Sequence, residues 1–111
     1  MRIKVENETK KKILKTARYI RKQFGIETSV EFSGEIHRVT TLLCENPFMG
    51  PQEPLLSDAP VLYRSVVVSR LNKMIYWIND DVIEIVDFWD CRREPEKQAG
   101  TTISKYHTRK L

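Results

Sequence analysis

A chain of 111 residues with a net charge of +4, 41% hydrophobic and 31% charged, carries enough apolar side chains for one folded core and too few residues for two. Disorder is excluded by that balance. The first residues are charged, not the apolar h-region of a secretory signal. No apolar run approaches the roughly 20 residues of a membrane span, so a reducing cytoplasm is the expected setting.

In chain order, residues 2–5 are a candidate first strand. Asn7 is the expected N-cap of a helix over about 8–24. In it Ile13, Ala17, Ile20 and Phe24 recur as one apolar stripe at helical period. Residues 1–25 hold nine Lys/Arg against two Glu, so the remaining faces are cationic. Such a run suits a polyanionic or acidic partner, and equally a solvated helix face. Gly25 is a natural stop.

Thr28 with Glu31 has the spacing of a capping box for a second helix. Phe32, Ile36, Val39 and Leu43 repeat the stripe, and Asn46-Pro47 ends it. The two helices are expected to form an antiparallel hairpin. Cys44 falls on the apolar stripe as a small buried side chain. With Cys91 it makes neither a CxxC pair nor a metal spacing. His37 is expected on the helix surface.

Residues 46–60 hold four of the five prolines and Gly50 and read as a loop. Three strand-like runs follow, Leu62–Ser69, Lys73–Ile78 and Val82–Phe88, with Asn79-Asp80-Asp81 as a hairpin turn. The helical hairpin would cover this antiparallel meander. The expected class is therefore α+β, with one domain over 1–96. From Glu94 onward the chain is polar, and residues 97–111 are expected to be a loose tail. Trp77 and Trp89 suit sheet packing, although aromatic side chains also stack on RNA bases.

The order helix, helix, proline-rich loop, three-strand meander and basic pair resembles the RelE/ParE superfamily of bacterial toxins. The residues that carry the resemblance are NPFMG after the second helix, LYRSVVVSRLNKMIYWINDD over the first hairpin and IEIVDFWDCRREP at the last strand, and the match spans roughly residues 8–96. The resemblance implies the toxin of a type II toxin–antitoxin pair, with a cognate antitoxin as partner. RelE-like members cut messenger RNA on the ribosome, whereas ParE-like members poison DNA gyrase without nuclease chemistry.

RNA cleavage by 2′-hydroxyl attack needs a base, cations for the phosphorane and an acid for the leaving oxygen. By resemblance, Arg64, Lys73 and Arg93 occupy the basic active-site positions, with Arg92 and Lys97 as RNA contacts. Arg93 would clamp the phosphorane as a bidentate fork. Arg64 would orient the phosphate, or pair across the strands with an acid such as Glu84. Lys73 would contact the backbone or act as base. No metal or cofactor is required.

Two departures count against cleavage. Val66 and Val68 share a strand face with Arg64 where RelE carries basic residues. The late acid/base position falls near Ala99, with Tyr106 and His107 further on. Three readings stay open: a ribosome-dependent endoribonuclease, a non-enzymatic gyrase inhibitor, and an antitoxin-binding relative without toxicity. The coexistence of Arg64, Lys73 and Arg93 favours the first.

Overall fold

The structure is a computed structural model. It describes the backbone of residues 1–69 and 71–110 and the side chains of residues 1–69 and 71–103. Strand β1 (Arg2–Val5) leads into α1 (Asn7–Phe24) and α2 (Ile26–Glu45). A loop with one 3-10 turn at Pro54–Leu56 follows, then β2 (Arg64–Val68), β3 (Asn72–Asn79), β4 (Val82–Asp90) and α3 (Pro95–Lys110). The strand order is β1-β4-β3-β2. The β2–β3–β4 meander is antiparallel as expected. β1 joins β4 in parallel, so the α+β sheet is mixed and not wholly antiparallel.

Local signals explain most element ends. Gly25 takes φ 97° between α1 and α2, a conformation that favours glycine. Asn46 ends α2, its backbone N–H donating to the Leu42 carbonyl. Asp80 takes φ 55° in the two-residue link between Asn79 and Val82, which pair directly. Glu6, not Asn7, is the residue preceding α1. The expected capping box does not form, because Gly25 lets α2 start at Ile26. Thr28 is then already helical, and its hydroxyl bonds back to the Phe24 carbonyl.

Both faces of the sheet are covered. On one, Phe32, Val39 and Leu43 of α2 pack on Val66, Val68, Met74, Tyr76, Ile83, Ile85 and Phe88. Ile13, Ala17, Ile20 and Ile36 are half-buried against that cluster. Phe24 departs from the expected stripe and is 66% exposed. It is the last residue of α1, where the helix has run past its cover. On the other face, Leu56, Tyr63, Ile75, Val86 and Trp89 pack with Ala99 of α3. The loose tail expected after residue 96 is thus replaced by a helix. Two of its side chains, Ala99 and Thr102, are buried.

Two clamps hold this arrangement. In the first, the hydroxyl of buried Tyr76 accepts from Gly50 N–H (3.0 Å) and donates to the Pro47 carbonyl (2.9 Å), pinning NPFMG to the sheet. A Cβ on Gly50 would lie 2.6 Å from the Ser65 carbonyl oxygen and 2.7 Å from the Tyr76 hydroxyl. In the second, the register shifts between Ile75 and Tyr76, and Asp87 lies fully buried beside the shift. One Asp87 oxygen accepts from Phe88 N–H (2.8 Å) and from Lys12 of α1. The other accepts from Thr102 of α3 (2.6 Å), whose hydroxyl in turn accepts from the Trp89 indole (3.1 Å).

Gly50→Ala is expected to lower unfolding free energy by about 1–3 kcal/mol, the usual cost of overpacking. Tyr76→Phe is expected to cost a similar ~1–3 kcal/mol, because a buried N–H loses its acceptor. Urea titration measures both. Burial raises the Tyr76 pKa. A raised folded-state pKa gives stability that is intact below the ordinary tyrosine range, about 10, and is lost as pH climbs through it. The difference between wild type and Tyr76→Phe should therefore shrink above about pH 10.

Candidate functional site

The strand register decides where the expected cations go. Arg64 pairs across to Tyr76 and so faces the α1–α2 layer. Its guanidinium donates to the Gly50 carbonyl (2.8 Å) and lies 5.2 Å from the centre of the Phe48 ring. The expected pairing with Glu84 does not form, because Glu84 lies opposite Trp77 on β4. Arg64 instead holds the proline-rich loop against the sheet end.

Lys73 lies opposite Val67 and Trp89 and faces the α3 side. Its ammonium sits 3.1 and 3.2 Å from the two carboxylate oxygens of Glu53. Glu53 is buried and also accepts from the Ser65 hydroxyl (2.8 Å). Arg64 and Lys73 are thus on opposite faces of one sheet. The structure therefore gives the two cations separate partners and does not bring them together at one point.

Arg92 and Arg93 follow β4 in a turn over Asp90. Arg92 makes a fork on Asp90, with 3.2 Å from Nε to one oxygen and 3.2 Å from its terminal nitrogen to the other. Arg93 is 3.8 Å away and 79% exposed. The side-chain bond from Arg92 holds the Asp90 carboxyl below its ordinary range, and the same pairing raises Arg92. The turn lies beside Asn72, which opposes Asp90. Arg64 opposes Tyr76, four residues further along β3, or about 13 Å at strand rise. Arg93 therefore does not reach the Arg64 site.

Lys97 is exposed on α3, and its carbonyl accepts from the Thr101 hydroxyl. The Gln98 side chain brackets the backbone of Asp90, accepting from its N–H and donating to its carbonyl, each at 3.0 Å. Ala99 is buried, so no acid or base stands at that register. The side chains of Tyr106 and His107 lie outside the described residues. Trp89 is buried and bonded to Thr102, and Trp77 packs against the same core, which is the sheet-packing role. His37 is exposed as expected. Among the described residues no His, Cys, Asp and Glu group could hold a metal, and no helix is long and apolar enough to cross a membrane.

Sequence reasoning missed Glu53 and Asp87, the two buried acids that take up Lys73 and Lys12. Asp87 had a visible signal, a lone acid inside the apolar run IVDFW. Glu53 had none beyond its place before Pro54 in a loop.

The class defined by this geometry is an α+β fold, with a helical hairpin on one face of a four-stranded mixed sheet. A solved chain of the chromosomal ParDE TA system from P. aeruginosa shares it, with a TM-score of 0.67 at 15% identity over 81% of this chain and 95% of that one. No protein-family model and no curated protein matches the sequence.

Removing the Lys73 amine should strand a buried carboxylate. Lys73→Met is expected to destabilise by about 3 kcal/mol, the low end for breaking a buried pair, because Lys73 is 30% exposed. Adding Glu53→Gln should recover part of the loss. A double-mutant cycle in urea reads this coupling.

Proposed function

We propose that this protein is the toxin of a type II toxin–antitoxin pair, and that it inhibits DNA gyrase by binding and not by cutting messenger RNA. The observation that supports this reading is the register of β2 and β3. It turns Arg64 and Lys73 to opposite faces and gives each an internal partner. A phosphorane site needs preorganised cations converging on one point. Here the cations are spent on holding a loop and neutralising a buried acid. An inhibitor that acts by binding needs only a rigid surface. The likeness to a chain of a ParDE system leans the same way.

The partner is a cognate antitoxin supplying acidic and apolar side chains. The basic turn at Arg92-Arg93 and the exposed Phe48 and Met49 suit such a segment.

The test is induction of the chain in cells, with growth, messenger RNA integrity, bulk translation and plasmid supercoiling followed together. The expected result is growth arrest with intact messenger RNA and loss of negative supercoiling, and inhibition of purified gyrase. Arg92→Ala with Arg93→Ala should leave the protein folded and RNA uncut. Early cleavage of messenger RNA that Arg93→Ala slows by about 100-fold or more, the cost of one lost charge-stabilising donor, would overturn the binding mode. Soluble, folded protein without any effect on growth would overturn the toxin reading itself.

A further inference from the structure

We infer that the outer face of the α1–α2 hairpin is a self-association surface that joins two copies of this chain about a two-fold axis. Three stripes run across that face. α1 carries seven Lys/Arg against the single acid Glu8. α2 carries four Glu against the single base Arg38. Between them the groove is rimmed by exposed apolar residues, Leu14 at 54%, Ile26 at 53% and Val30 at 62%.

Two bonds fix the orientation. Ser29 of α2 donates to the Ala17 carbonyl of α1, so the flank of α1 near Ala17 faces α2. Lys12 reaches Asp87 of β4 and marks the opposite flank. Leu14 and Arg21 lie one turn either side of Ala17, on the α2 side. Val30 follows Ser29 and points away from the core side taken by Phe32 and Val39.

Across the face the order is therefore acidic, apolar, basic. A two-fold axis through the apolar stripe reverses that order in the second copy. Bases then meet acids on both sides, and apolar residues meet at the centre, as an isologous contact requires. Lys11 is engaged by Glu8, Lys12 by Asp87 and Arg38 by Glu35. Arg18, Arg21, Glu27 and Glu31 have no ion-pair partner among the described residues, so they are available to a second copy. An acidic partner would leave the glutamates of α2 opposed, and a polyanion would leave the apolar stripe wet. A second copy satisfies all three stripes.

An 18-residue helix is about 27 Å long. A two-helix face of that length is small beside the roughly 800 Å² per partner of a standard interface. The dimer should therefore have a micromolar dissociation constant and weaken as salt screens the charges.

Sedimentation velocity on the purified chain tests this. The wild type should shift from monomer to dimer as its concentration rises to about 100 μM, and less so in high salt. Arg18→Glu with Arg21→Glu should be monomeric alone, as should Glu27→Lys with Glu31→Lys. An equimolar mixture of these two variants should form a heterodimer. All four sites are exposed, so circular dichroism should be unchanged. A wild type that stays monomeric at that concentration in low salt overturns the inference. So do reversed variants that dimerise like wild type, a mixture that does not associate, or a monomer whose arginines bind only heparin.

Discussion

The buried carboxylate of Asp87 is the contact on which the three layers depend. It enters the sheet interior because the register shift beside Tyr76 admits an extra residue in β4. Bulges of this kind re-aim a side chain. There it meets Lys12 from the front layer, Thr102 from the back layer and the N–H of Phe88. A desolvated carboxylate is costly unless every lone pair is used, and these donors come from three separate elements. The fold reaches full satisfaction of that charge only when α1, β4 and α3 are all in place. Partial assemblies leave that charge without its partners in an apolar interior.

Glu53 is a second buried acid, held beside β2 and β3 with Lys73 and Ser65 as its donors. This duplication gives cations of a type suited to chemistry a task in holding the fold. A lysine beside a buried acid is a counter-ion first. Arg64, bound to the Gly50 carbonyl and laid over Phe48, is likewise a loop tether. The charge pattern of a nuclease and that of a doubly covered sheet with two internal acids look the same in one dimension.

What was legible in the sequence was whatever depends on local geometry. Helical period located both hairpin helices, and Gly25 and Asp80 marked backbone that must turn left-handed. The density of prolines marked the loop. Phe24 failed because periodicity gives the direction of a side chain and not the extent of the surface it lands on. The capping box at Thr28 failed because Gly25 let the second helix begin two residues earlier. α3 failed for a different reason. Its hold on the sheet comes from Gln98, Ala99 and Thr102 meeting Asp90, Trp89 and Asp87, contacts that no pattern within α3 could reveal. Arg64 and Lys73 are visible in the sequence as cations on strand-like runs. Their faces follow from counting along two strands, and the partners waiting on each face do not.

The parallel docking of β1 on β4 has a consequence for how the molecule comes into being. Arg2 sits opposite Val82 and Val5 opposite Ile85, so a strand made early finds its neighbour only after nearly the whole domain has been synthesised. The meander and the helical hairpin are built from near neighbours and can form as they leave the ribosome. The pairing of β1 with β4 has a large separation in sequence, the kind of non-local contact that slows folding. Until it forms, β1 and the β4 edge remain open to whatever else can pair with them. The final form of the protein is therefore withheld until translation of the domain is almost complete.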